Sequence, residues 1–212
     1  MVRKACGANP CTVTVTSTGA GHLLFLGINT LTNATISAIS GEGTWTHGTK
    51  QIYGDGNTGG LDYSYVLSST GGVTSIQVTS TGGVSDIVEI KFVEMSFTGS
   101  SVSLDDQQNA ALSAVGNVNQ PGVATTITGT NDWIIQYAAP DHGTINSISG
   151  SYTDPANFVG GTGYAGWRNT TTGTAPTWTL SAANKIIGIG VAFKEASAAA
   201  AVPLRALMGV GL

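Results

Sequence analysis

Ile87-Val88-Glu89-Ile90-Lys91-Phe92-Val93-Glu94-Met95 alternates its side-chain character with a period close to two. Successive side chains of a β-strand point to opposite faces, so this stretch predicts a half-buried antiparallel strand with apolar groups on one face. Thr12-Val13-Thr14-Val15-Thr16 and Ser75-Ile76-Gln77-Val78-Thr79 carry the same alternation. Residues 23–28, 133–139 and 186–193 are continuous apolar runs of strand length, expected as central strands buried on both faces or beneath a neighbouring subunit. Gly41-Glu42-Gly43, Gly54-Asp55-Gly56-Asn57, Gly71-Gly72, Gly82-Gly83 and Gly160-Gly161 punctuate the runs as turns. The fold class is therefore all-β.

A faint duplication organises these strands. Ile36-Ser37-Ala38-Ile39-Ser40-Gly41 recurs as Ile145-Asn146-Ser147-Ile148-Ser149-Gly150. An apolar run precedes each copy (23–28 or 133–139), and a Thr-rich stretch precedes that (13–16 or 125–128). Downstream, Gly59-Gly60 with Tyr63 parallels Gly160-Gly161 with Tyr164, and Phe92 with Glu94 parallels Phe193 with Glu195. Pseudo-repeats over about 12–95 and 123–195 are expected to pack as a single antiparallel β-sandwich, because each alone would expose sheet edges and a bare apolar face. A jelly roll is the version expected.

Thirty Gly, 29 Thr and 19 Ser accompany a charged fraction of 9%, far below the roughly 25% of ordinary globular chains. A surface made soluble by hydroxyls and amides is cheap to bury against a partner, which favours packing into an assembly. A net charge of -4 and scattered Lys and Arg give no basic stripe for phosphates, so nucleic acid is not an expected partner. The apolar runs fall short of the roughly 20 residues that span a bilayer, and no membrane segment is expected. Arg3 and Lys4 lack an apolar stretch behind them, so no secretory signal peptide is read.

Outside the sandwich, expected over 12–195, lie an N-terminal arm (1–11) and an apolar C-terminal tail (196–212). Cys6 and Cys11 bracket the turn-forming Gly-Ala-Asn-Pro, so the sulfurs either bridge and staple the arm or remain as reduced thiols; the spacing leaves both open. Pro203 suits a first helical turn and Gly209 a stop, which would place Leu204, Leu207 and Met208 on one face. With Leu212 they form the apolar cluster expected to make attachment or oligomer contacts.

Candidate chemistry is sparse. His22, His47 and His142 stand in no metal-gathering spacing, and two cysteines fall short of a closed zinc site. Asp105-Asp106 and Asp141-His142 could supply a carboxylate pair or an Asp-His dyad, but no Gly-x-Ser-x-Gly elbow exposes a nucleophile. No catalytic residue, metal or cofactor is assigned. The Gly54-Asp55-Gly56-Asn57 loop lacks the distal Glu of an EF-hand and reads as a hairpin. Trp133 and Trp178 lie in apolar strands and read as core, leaving Trp45, between two threonines, and Trp167, beside Arg168, as platforms for a surface glycan.

One order of features has a family likeness: a Leu-rich leading strand, Gly43-Thr44-Trp45-Thr46, an aromatic strand at 61–66, a Thr-Val strand, Val93-Glu94-Met95-Ser96-Phe97-Thr98-Gly99 followed by Leu104-Asp105-Asp106-Gln107, and a closing Val191-Ala192-Phe193-Lys194. Over about 12–195 this resembles the duplicated β-sandwich domains of phage structural proteins and bacterial surface proteins. The resemblance implies a non-enzymatic virion structural protein, such as a capsid decoration, head-fibre or tail-associated subunit. Its partners would be other virion proteins and copies of itself, in a particle assembled in the host cytoplasm. The alternative is a carbohydrate-binding or host-receptor-binding surface module.

Overall fold

The computed structural model describes residues 2–53, 59–99, 101–112, 117–130, 132–150, 152, 163–170 and 175–196. They form sixteen strands and, among the described residues, no helix. The first half contributes β1 (Val2–Ala5), β2 (Cys11–Thr14), β3 (Leu23–Thr30), β4 (Ile36–Ser40), β5 (Thr46–His47), β6 (Gln51–Ile52), β7 (Gly60–Val66), β8 (Ser75–Ser80) and β9 (Ile87–Met95). The second contributes β10 (Val102–Leu112), β11 (Asn119–Pro121), β12 (Asp132–Pro140), β13 (Ile145–Ile148), β14 (Tyr164–Thr170), β15 (Thr177–Leu180) and β16 (Ile186–Glu195).

All pairings are antiparallel, and they build four sheets. A first inner sheet runs β1-β9-β3-β7-β5, with β6 also on β7, and a first outer sheet runs β2-β8-β4. A second inner sheet runs β10-β16-β12-β14, and a second outer sheet β11-β15-β13. Exchanging β1, β2, β3, β4, β7, β8 and β9 for β10 to β16 in order carries one pair of strand paths onto the other. The recurring hexapeptide behaves alike in both halves. Each copy shifts register after its first residue, between Ile36 and Ala38 and between Ile145 and Ser147. Each closes on a glycine of positive φ, 103° at Gly41 and 82° at Gly150, a conformation glycine adopts without steric penalty.

The correspondence between the halves differs from the sequence reading in two details. The counterpart of β2 is β11, at 119–121, while residues 125–128 form no strand. Phe92 and Phe193 are not equivalent, because β9 turns Phe92 toward its outer sheet and β16 turns Phe193 toward the other inner sheet. An offset by an odd number of residues in a period-two pattern exchanges the faces.

The inner sheets pack face to face. Leu23, Phe25, Tyr63, Tyr65, Val93 and Met95 meet Ile135, Tyr137, Ile189, Val191 and Phe193 in one cluster, with the Tyr65 and Phe193 rings edge to face at 5.2 Å. The ring of Tyr137 lies over Gly27, where an added Cβ would come within 2.9 Å of it. On its other face the first inner sheet offers Leu24, Leu26, Ile28, Ile90 and Phe92 to Val13, Val15, Ile76 and Val78 of the outer sheet and its flank. Ile145, Trp178 and Leu180 of the second outer sheet extend the central cluster, and Ile134, Ala192 and Tyr152 form a smaller one. The layers thus run outer, inner, inner, outer, which is why β3 is buried along its whole length. The half-buried reading of 87–95 gives way for the same reason: Glu89 and Lys91 are fully enclosed between the inner sheets.

β3 and β12 run in the same direction, so the stack has two distinct ends. Tyr53 Oη joins the halves at the upper end by donating to Ala139 O (3.1 Å) or Pro140 O (2.7 Å). The upper end also carries the turns at 6–10, 31–35, 81–86, 141–144 and 181–185; the lower end carries 15–22, 67–74, 96–101, 122–130 and Ala196. Residues 2–5, expected in an arm, are an edge strand on β9. Cys6 and Cys11 are disulfide-bonded, tying the end of β1 to the start of β2 and hence an inner sheet to an outer one. Leu204, Leu207, Met208 and Leu212 lie outside the described residues, as does the Gly54-Asp55-Gly56-Asn57 loop.

Candidate functional site

The acidic side chains are where chemistry would be sought, and most of them grip backbone. Glu42 accepts the Gly43 and Thr70 amides, each at 2.9 Å, and the Thr70 hydroxyl at 2.7 Å. Burial pushes its pKa up, but these bonds outweigh that and hold it below the usual carboxylate value. Glu94 accepts the Gly19 amide at 2.7 Å and meets His22 Nδ1 at 2.7 Å. Asp86 is buried on the Thr32 amide at 3.0 Å, the Thr32 hydroxyl, and the Ser80 hydroxyl at 2.7 Å. Across the same turn, Lys50 Nζ donates to Thr30 Oγ1 at 2.9 Å and Thr32 O at 3.0 Å, and burial lowers its pKa.

Asp105 and Asp106 come together as the sequence suggested, but as a clamp. The register of β10 on β16 shifts between Leu104 and Asp106, which aims the two carboxylates at the 122–130 segment. Asp105 accepts the Thr128 amide at 2.5 Å, the Thr128 hydroxyl, and Lys194 Nζ at 3.0 Å; Asp106 accepts the Thr126 amide at 2.6 Å. Asp132, which sequence reasoning did not single out, completes the group fully buried beside Asp105. Burial first, then the hydrogen bond and charge of Asp105, raise its pKa to about 6. Asp105 moves the other way: burial would raise it, but the Thr128 bonds, Asp132 and Lys194 hold it well below the usual range. The only signal in the sequence was a carboxylate at the head of an apolar strand.

A second polar group lies in the seam between the inner sheets. Arg3 Nε pairs with Glu89 Oε1, Lys91 Nζ stands 3.8 Å from the same oxygen, and the Gly163 amide donates to Glu89 Oε2 at 3.1 Å. Tyr137, fully buried nearby, has its pKa driven well above the ordinary value by burial and then by Glu89. At the upper end of the seam, a cleft of about 110 Å³ is lined by Asn29, Thr30, Leu31, Tyr53, Gly59, Val88, Pro140 and Asp141. Asp141 Oδ2 meets His142 Nδ1 at 3.1 Å, joining the Asp-His pair of the sequence at this rim.

Of the two expected glycan platforms, one is buried and the other half-buried. Trp45 is only 8% exposed and belongs to the core beneath the first outer sheet. Trp167 is half-buried against the central cluster, and Arg168, its neighbour along β14, points to the opposite face and donates to Gly150 O at 3.2 Å. Alternation separates the ring and guanidinium that adjacency in sequence seemed to join. Trp178 is core as read, whereas Trp133 is half-buried against that core. Among the described residues, no group of three or more His, Cys, Asp or Glu could hold a metal ion. In comparison with known proteins, no family model, curated protein or solved structure matches the chain.

Proposed function

We propose that this chain is a non-enzymatic structural subunit of a larger assembly, and that the assembly is a bacteriophage particle, in which it serves as capsid decoration, head fibre or tail-associated protein. The observation that carries this reading is the occupation of the carboxylates. Glu42, Asp86, Glu94, Asp105 and Asp106 each hold the backbone of a turn or loop. A bond to a charged acceptor contributes about 1.5–3 kcal/mol, so in a chain with only 9% charged residues these groups serve shape before reactivity. A threonine- and glycine-rich surface on such a body is readily buried by neighbours, as packing into a particle requires. The glycan alternative is weakened by the burial of Trp45 and the half-burial of Trp167, and no other observation favours it.

Proteomics of purified particles tests the proposal. The chain is expected at stoichiometric abundance in the particle; its presence only in the soluble fraction would overturn the reading.

A further inference from the structure

β10, β16 and β12 lie side by side, and at the lower end each brings one ionisable side chain to the same place. Asp132 and Lys194 are direct partners across β12 and β16. On the other flank of β16, Leu104 pairs with Phe193 and the next pair is Asp106 with Ala192. Asp105 is therefore the extra residue of the bulge, and it turns its carboxylate onto Lys194, whose Nζ stands 3.0 Å from Oδ1. An ion pair in open solvent would be ordinary. Here the Asp105 side chain is only 2% exposed, and a second carboxyl, that of Asp132, is fully enclosed against it.

The surroundings polarise Asp105 and keep water from it. The Thr128 amide donates to Oδ2 at 2.5 Å and the Thr128 hydroxyl to Oδ1, so charge developing on either oxygen meets a fixed donor. Both Asp132 oxygens are buried without a well-formed hydrogen bond to any amide, hydroxyl or ammonium, and a proton shared with Asp105 is what satisfies them. With its pKa raised to about 6, Asp132 keeps that proton more readily than an ordinary carboxyl. Gly129 closes the 122–130 segment over the group: a Cβ there would come within 1.8 Å of Asp132 Oδ1 and 2.8 Å of Lys194 Cβ. Nucleophile, acyl carbon and proton donor are thus held together, with the acyl carbon shielded from hydrolysis.

We infer that Lys194 and Asp105 condense into an intramolecular isopeptide bond, with Asp132 relaying the protons. The Lys194 ammonium first passes a proton to Asp105 Oδ1. The neutral Nζ then attacks Asp105 Cγ; the Nζ–Cγ bond forms as Cγ–Oδ1 breaks, and Asp132 protonates the departing hydroxyl and recovers a proton from Nζ. One ammonium and one carboxylate give one amide and one water, so nothing is oxidised or reduced and no co-reactant is needed. Because the ammonium must first surrender its proton, closure follows folding slowly, and the titrations of Asp105 and Asp132 belong to the chain before closure. The bond welds β10 to β16 beside the point where residue 196 leaves the sheet. The inference goes beyond the particle reading and does not depend on it.

Intact-mass spectrometry of the full chain is the test. During incubation in neutral buffer, a species lighter by one water is expected to grow until it dominates, and digestion should yield a branched peptide joining the segments that carry Asp105 and Lys194. Lys194→Arg keeps the positive charge but should hold its full mass throughout. Asp132→Asn should slow closure at least about a hundredfold, as loss of a positioned proton donor does. A chain that keeps its full mass would overturn the inference. So would an equal loss of water in Lys194→Arg, as dehydration of an aspartate to a succinimide would give, and closure at an unchanged rate in Asp132→Asn would overturn the part given to Asp132. Lys194→Arg against the unmodified chain decides the bond by itself should Asp132→Asn lose its melting transition. Particle proteomics fails separately: a linked chain absent from particles sinks the particle reading alone, and an unlinked chain found in particles sinks the bond alone.

Discussion

The two halves share a strand order, but their central strands, β3 and β9 against β12 and β16, place buried polar groups on opposite faces. In the first half the inner face carries Gly27, Asn29, Glu89 and Lys91, while the outward face of β3 is Leu24, Leu26 and Ile28. In the second half the inner face is Ile135, Tyr137, Ile187, Ile189, Val191 and Phe193, and the outward face of β12 carries Asp132 and Gln136, the latter bonding Val123 N at 3.2 Å and Val123 O at 2.8 Å. With β3 and β12 aligned on their ends, Gly27 and Tyr137 occupy equivalent positions and face each other. Two tyrosines would collide there, and two glycines would leave a void. One topology is thus held by an apolar cover in one half and a clamped cover in the other, and the halves are complementary rather than interchangeable.

Glu89→Ala attacks the charged face most directly. It strips Lys91 of a buried counter-charge and the Gly163 amide of its acceptor, and should lower stability by about 3–5 kcal/mol in chemical denaturation. A loss below about 1 kcal/mol would mean that the seam does not depend on its charge. Gly27→Ala, which drives a Cβ into the Tyr137 ring, should cost about 1–3 kcal/mol, with Tyr137→Leu relieving part of it in a double-mutant cycle.

The shared hexapeptide offers a finer comparison. Gly41→Ala and Gly150→Ala both force alanine to positive φ, but a Cβ at Gly41 would meet Ser75 O at 2.1 Å, whereas at Gly150 the nearest atom is 3.6 Å away. The first should therefore destabilise by about 1 kcal/mol more than the second; equal losses would indicate that the backbone yields freely at both.

The smallest effect concerns pH. Asp132, with its folded pKa raised to about 6, favours the folded state when protonated; its contribution is full below the unfolded value of 3.8 and is lost as pH rises through 6. Asp105, depressed, contributes above 3.8 and loses that contribution as pH falls. Stability at this corner of the second half should peak between the two. Asp132→Asn should raise Tm relative to the unmodified chain more at pH 8 than at pH 5, and a pH-independent difference would refute the assignment.

What the sequence made legible was periodicity. The runs at 23–28, 133–139 and 186–193 are buried on both faces because each inner sheet is covered twice, and the recurring hexapeptide marks the same bulge and the same glycine in both halves. Face was harder to read: Phe92 and Phe193 look alike in a linear alignment but turn to opposite faces of their sheets. The clamps were illegible because Asp105 and Asp132 lie far apart along the chain and meet only when β10 and β12 flank β16. Lys91 and Glu89 resembled a solvated face because alternation reports that two faces differ, without saying what covers either.

The disulfide at the upper end has a mechanical consequence. Val2 pairs with Phe92 midway along β9 and Ala196 lies at the lower end of the other inner sheet, so tension between them acts mainly across the strands and would open the β1–β9 ladder from Val2 rather than shear it whole. Peeling from Val2 runs only as far as Cys6, where the bridge to Cys11 locks the 7–10 loop and passes the load to β2 in the outer sheet. The molecule would yield a short length of slack at low force and then stiffen, behaving as a tether with a built-in stop.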